Sequence, residues 1–213
     1  MSDHDDFHFE PVRGLPENLP KDEHILWQGA PDAGRLAREA LGLRWVAGYF
    51  VLLTLWRVGV SSADYPIGVA LLHGAPFVVA GLIACAIIYV IAYAQAATTV
   101  YTLTNKRVAM RIGAALTMTL NIPYTWIGTA KLDEKRSGHG TLAFETIGET
   151  RLSYLMTWPH VRPWYMSRTQ PALRCIPDAA AVAQMFAEAA ETRISAPQVT
   201  RTETPDGAAV AAE

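Results

Sequence analysis

Between Asp64 and Lys106 the chain runs for 41 residues without a formal charge. As one helix that stretch would be about 60 Å long, twice the roughly 30 Å hydrocarbon core of a bilayer. More than one element must share it. The composition predicts a membrane-crossing helix over about 75–95, APFVVAGLIACAIIYVIAYAQ. The remainder, AATTVYTLT, is rich in Thr, Val and Tyr and reads as the start of a β-strand. An earlier apolar helix is expected over about 43–61, with Trp45 and Trp56 near its ends as in an aromatic belt and Arg44 and Arg57 placed to snorkel.

Loop charge orients this pair. Arg35, Arg38 and Arg44 precede the first helix and Lys106, Arg107 and Arg111 follow the second, while the loop between holds only Arg57 and Asp64. The positive-inside rule then puts both termini in the cytoplasm. The alternative is a third span through Tyr65–His73, which would separate the termini. No cleavable leader is expected, because the first 40 residues are acidic and the apolar run starts late.

The 213 residues carry 18 Lys+Arg and 20 Asp+Glu, so charge makes up 18% where a soluble domain holds about 25%. Disorder, collagen and coiled coil are excluded as the main architecture, and near-neutrality argues against a dedicated nucleic-acid binder. The charge is segregated: −5 over residues 1–40, +6 over 104–176 and −4 over 177–213. Cys85 and Cys175 do not make a disulfide framework.

Beyond the apolar region the period changes to two. TTVYTLT, KRVAMRIG, ALTMTLNIP, TWIGTAKLDE, GTLAFET, TRLSYLMTW and PALRCI read as seven short strands. Turn residues separate them, among them Gly113, Pro123, Gly138, Gly148 and Pro171. Pro177 and Asp178 then start a helix whose Val182, Met185, Phe186 and Ala189 share one face and should pack on the sheets. The predicted organisation has four parts. Residues 1–40 are an acidic segment with a short amphipathic helix near Ala33–Leu43, and 41–97 are a transmembrane hairpin. Residues 98–193 are a β-rich domain, and 194–213 are a disordered tail.

Catalytic signatures are missing from the sequence: no HExxH, GxSxG, P-loop or GxGxxG. An enzyme is therefore not expected, and neither a cofactor nor a metal site is predicted. His4 and His8 among Asp3, Asp5 and Asp6 have ligand chemistry, but a flexible acidic end is the simpler reading. The segment Trp158, Pro159, His160, Arg162, Pro163 and Trp164 is the candidate partner surface. Trp and Arg dominate interface hot spots and Pro limits the entropy lost on binding; the competing reading is a strand end packed in the core. Lys106, Arg107 and Arg111 follow the second helix and are candidates for contact with anionic headgroups. Gly42, Ala47, Gly48 and Ala84 offer small surfaces for self-association or for packing the hairpin.

Two resemblances add to this. YTLTNKRV at 101–108, Gly113, Ile122-Pro123 and GHGTLAF at 138–144 resemble the membrane-anchored bacterial pleckstrin-homology-like proteins. That resemblance implies a membrane-anchored α+β protein: a two-helix transmembrane hairpin followed by a seven-stranded PH-like β-barrel or sandwich with a C-terminal helix. LPKDEHILWQGAP at 19–31, WPHVRPW at 158–164 and RCIPD at 174–178 resemble the PuhB family, photosynthetic-complex assembly proteins of purple bacteria. It implies a non-catalytic membrane scaffold aiding assembly of the reaction centre and core light-harvesting complex. The location implied is the bacterial cytoplasmic or intracytoplasmic membrane. Partners would be transmembrane subunits of those complexes or other assembly factors, with an anionic lipid surface and self-association also expected. In that setting the imidazole of His73 could ligate the magnesium of a bacteriochlorophyll, against the simpler reading of an interfacial polar residue. The alternative function is a PH-like module sensing lipid or membrane stress.

Overall fold

The computed structural model describes residues 12–114, 116–135, 137–148 and 152–195. His4, His8 and the tail beyond residue 195 lie outside them. Strand β1 (Ile25–Gly29) comes first. Asp32 then caps α1 (Ala33–Arg35), its Oδ1 accepting from the Arg35 N–H at 2.7 Å, and Leu36–Ala40 form a π-helical turn. The expected amphipathic segment thus exists, but Leu36 and Ala37 are fully buried, packed against the last turns of the second long helix rather than laid on a surface.

The two long helices are α2 (Leu43–Ser61) and α3 (Ile67–Thr98), and both are long and apolar enough to cross a membrane. α3 starts earlier than expected. The stretch around His73 and Pro76 falls inside one continuous helix, so a separate span through Tyr65–His73 does not form. Its 32 residues rise about 48 Å, more than a bilayer core needs. Its buried residues are all small: Ala70, Gly74, Gly81, Ala92 and Ala96. The helices approach through small residues: a Cβ on Gly81 would sit 2.8 Å from Phe50 Cβ, and one on Gly74 2.7 Å from Val58 Cγ2. Ala47 lines the groove between the helices, whereas Gly48 faces open space.

The chain leaves α3 directly into β2 (Val100–Thr104), β3 (Arg107–Ile112) and β4 (Met118–Pro123), which with β1 form an antiparallel sheet in the order β1-β2-β3-β4. After a 3₁₀ turn, β5 (Ile127–Glu134), β6 (Gly140–Thr146) and β7 (Ala172–Ile176) form a second antiparallel sheet in that order. A short α4 (Tyr154–Thr157) lies between β6 and β7, and α5 (Ala179–Ser195) closes the core. Phe186 of α5 packs on Tyr124 and Phe144 with ring centroids 5.4 and 5.1 Å apart, and Val182 beside it is buried.

Two expectations are corrected here. The described part of TRLSYLMTW, residues 152–158, forms no strand: Tyr154–Thr157 is helical, with the Thr157 hydroxyl donating to the Ser153 carbonyl at 2.7 Å. A Pro two residues past the helix cannot donate to a ladder, and the edge of β7 it would have paired is already met by the 160–162 loop. Conversely, the acidic segment contributes β1, which pairs with β2 across the whole hairpin, Ile25 opposite Thr104. β2 is consequently buried on both faces. Tyr101 and Leu103 enter the core, the Thr102 hydroxyl accepts from Gln28 Nε2 at 2.9 Å, and Gly14 lies so close to Val100 that a Cβ there would come within 2.7 Å of its Cβ. Gly14 also holds φ +83°, a conformation only glycine adopts cheaply.

Candidate functional site: a basic groove at the foot of the helices

Thr99, the first residue after α3, begins a buried chain of polar groups. Its hydroxyl donates to the Gln95 carbonyl at 2.6 Å and lies 3.2 Å from His160 Nε2. His160 Nδ1 lies 2.6 Å from the Tyr101 hydroxyl, which accepts from the Arg174 N–H at 3.3 Å. One arrangement satisfies every member: Nε2–H donates to Thr99, and Nδ1 accepts from Tyr101. It requires a neutral imidazole. Burial, and after it the Arg174 guanidinium, hold the His160 pKa down to about 3. Burial likewise pushes the Tyr101 hydroxyl up and the Cys175 thiol up to about 11, so neither is poised for chemistry. The network ties the foot of α3 to β2, β7 and the 158–162 loop.

Beside it lies a groove of about 780 Å³ where α1 and the π-helical turn, the first turn of α2, the β5–β6 face, the 162–165 loop and β7 converge. Its basic side chains are Arg35, Arg44, Lys131, Lys135, Arg162 and Arg174; Glu39 and Asp133 are the acids, leaving a net +4. Period-two alternation puts Lys131 and Asp133 on one face of β5, opposite Ala143 and Thr141. Some of these charges are met inside the protein. Lys135 reaches Asp133 at 2.9 Å, Lys131 reaches Glu145 at 3.5 Å and Arg35 reaches Glu39 at 3.9 Å. Among the described residues, no carboxylate lies within 4 Å of Arg44, Arg162 or Arg174. Arg174 is buried; among the described residues its guanidinium meets the carbonyls of Pro159, Val161 and Glu39 at 3.4–3.5 Å, and its Nε has no partner.

The expected partner segment divides. Pro159 and His160 are buried and cannot meet a partner directly; they seat the loop. Arg162 is half-buried, hydrogen-bonded to Gln170 Oε1 at 3.1 Å and stacked 4.1 Å over Tyr165. Trp158 is partly open, Pro163 is exposed, and Trp164 is 87% exposed. Trp164 also holds φ +69°, a strained conformation for a side chain of that size, which aims the indole outward beside the exposed Met166.

The expected headgroup set does not converge. β2 carries the chain about 17 Å from α3 before the turn that holds Lys106 and Arg107. There Arg107 Nε donates to Glu23 Oε1 at 2.8 Å, and Lys106 Nζ lies 3.5 Å from the Lys21 carbonyl. Arg111 returns opposite Val100 but is buried. His73 shares a hydrogen bond with the Ser61 hydroxyl, Nδ1 to Oγ 3.1 Å, and packs edge-on against Tyr65. The described residues hold no cluster of three or more metal-ligating side chains. Sequence reasoning missed Lys131, Lys135, Arg174 and Glu39. The alternation in β5 was a visible signal for Lys131; Arg174 stood in the RCIPD motif, but nothing local marked it as a groove residue in an otherwise apolar strand.

The family profile described as bacterial PH domain matches residues 43–190. The chain belongs to that family. PH-like domains are as a rule binding modules without catalytic activity. A Rhodobacter capsulatus protein, named as an uncharacterized 23.7 kDa protein in the puhA 5' region, is 43% identical over 201 residues, covering 93% of this chain and 94% of its own. A solved structure of a DUF1696 family protein with a pleckstrin-homology domain from Shewanella loihica is 13% identical, covers 43% of this chain and 71% of its own, and has a TM-score of 0.29, too low to bear on the argument. The match begins at α2, so β1, which pairs with β2, lies before the matched residues.

Proposed function

We propose that this protein is a membrane-anchored, non-catalytic assembly factor for the photosynthetic reaction centre and its core light-harvesting complex. The observation that carries the reading is the 43% identity, over nearly the full length of both chains, to a protein named for its place beside puhA. The resemblance of residues 19–31 and 158–164 to the PuhB family supports the same role. Two helices of spanning length support anchoring, and the charge of the flanking loops supports termini on the cytoplasmic side. In this reading α2 and α3 meet transmembrane subunits, and the PH domain offers Trp164 and its neighbours to partners at the membrane surface.

Deletion of the gene tests it. Loss of core photosynthetic complexes in otherwise normal membranes is the expected result. Normal pigment–protein content with an envelope defect would overturn it in favour of a module that senses lipid or membrane stress. Trp164→Ala narrows the site: the protein should accumulate normally while complexes fall.

A further inference from the structure

A second cleft, of about 480 Å³, opens between the start of β1, the β2–β3 turn and the C-terminal half of α5. Leu26 of β1 and Met185 and Ala189 of α5 are its apolar lining. Met185 and Ala189, four apart, share one helix face. The β1–β2 ladder slips between Ile25 and Trp27, and Leu26, at the slip, is 36% exposed. Such slips at a sheet edge re-aim side chains. β1 is an edge strand, with no further strand beside it among the described residues. The cleft's cations are Lys106 and Arg193, and among the described residues no carboxylate lies within 4 Å of either. Its one acid, Glu188, accepts from Gln184 Nε2 at 3.0 Å.

The chain itself carries a complementary segment. Residues 1–11, MSDHDDFHFEP, hold Asp3, Asp5, Asp6 and Glu10, no Lys or Arg, and the pair Phe7 and Phe9. They lie outside the described residues, but the chain that follows them is fastened beside β1. The Arg13 carbonyl accepts from Gln28 Nε2 at 2.8 Å, and Leu15 is buried. Gln28 stands two residues, about 7 Å, along β1 from Leu26. Eleven residues can extend about 36 Å, ample for that distance. Phenylalanines two apart fall on one side of an extended chain, leaving alternate residues free to face the rim. We propose that residues 1–11 fold back along β1 into this cleft, with Phe7 and Phe9 against Leu26, Met185 and Ala189 and the carboxylates toward Lys106 and Arg193. The cleft is then a docking site for an acidic, aromatic segment that the chain fills from its own N-terminal end. This inference depends on neither the membrane reading nor the assembly role.

Carbodiimide coupling of the full chain tests it, because the reagent joins a carboxylate to an amine only where the two meet. The lysines are Lys21, Lys106, Lys131 and Lys135. Peptide mapping by mass spectrometry should find Asp5, Asp6 or Glu10 joined to Lys106, at least about tenfold above links to Lys131 or Lys135 in the other basic groove. Phe7→Ser with Phe9→Ser should lower the Lys106 link about tenfold in a chain that still folds, and Arg193→Gln should lower it as well. No link to Lys106, equal links to Lys131 and Lys135, or a yield indifferent to the phenylalanine pair overturns the proposal. Mixing isotopically light and heavy chains should give links within one chain only. Hybrid links would assign the cleft to a second copy, and links from Glu203 or Asp206 to Lys106 would assign it to the C-terminal tail; either result overturns the proposal too.

Discussion

At the β2–β3 turn, Arg107 and the Thr104 hydroxyl both converge on Glu23 Oε1, at 2.8 and 2.9 Å, and Asn105 is bonded to Asp22 and His24. At the foot of the helices, Arg44, Arg162 and Arg174 share a groove and meet no carboxylate within 4 Å among the described residues. Both regions are basic, and both looked alike as sequence. The first consumes its charge in fastening β1 to the sheet. The second meets no counter-ion among the described residues, and beside it a neutral network, Thr99–His160–Tyr101, joins the foot of α3 to the sheet and the 158–162 loop. A basic cluster therefore reports a binding surface only after its internal partners have been subtracted.

Breaking the first region should cost the most. Glu23→Ala leaves Arg107 and Thr104 without their shared acceptor, and the Glu23 side chain is only 3% exposed. The expected loss is about 2–3 kcal/mol, below the 3–5 of a fully buried pair because Arg107 keeps contact with water. Thermal unfolding of the detergent-solubilised chain measures it. If Arg44→Gln destabilises as much, the two regions do not differ in the way described.

A smaller effect follows from pH. The folded state holds His160 near pKa 3, while the unfolded chain titrates near 6.5. Between those values the unfolded chain binds more protons, so stability falls as pH drops below about 6.5, by up to about 1.4 kcal/mol per unit. Wild type should lose melting temperature on going from pH 7.5 to 5.5. His160→Gln should start lower and show a flatter slope over that interval. Equal slopes would remove the neutral-imidazole network from the account.

The smallest effect is at Trp164. Glycine tolerates φ +69° without strain, so Trp164→Gly should change stability by no more than about 0.5 kcal/mol in either direction. A loss of several kcal/mol by the same melting assay would mean that the indole packs against the domain instead of serving its surface.

Much of the fold was legible in the residues. The charge-free run announced α3 and the start of β2, the apolar stretch before it announced α2, and Gly113 and Gly138, both at positive φ, marked real turns. Six of the seven expected strands formed, and α5 buried Val182 and Phe186 as its period required. The seventh failed because its alternation was accidental: Ser153 and Thr157 close a helical turn, and the residues following it pass beside β7 as a loop. The site was less legible. Trp164 was visible as an exposed-surface candidate, but His160, in the same short motif, turned inward to hold Tyr101.

The sequence by itself determined the local matters: which stretches are apolar enough to need a non-aqueous or buried setting, where the period is two or 3.6, and where the backbone must turn. These depend on residues within a few positions of one another, and side-chain period and composition record them directly. Only the tertiary structure decided that β1 joins β2 across the two long helices, that Arg107 is spent on Glu23, and that Arg44, Arg162 and Arg174 meet in one groove. Those outcomes depend on which distant backbone edges close on each other. No local pattern carries that information, because a strand edge and a guanidinium look the same in sequence whether or not a partner arrives from 80 residues away.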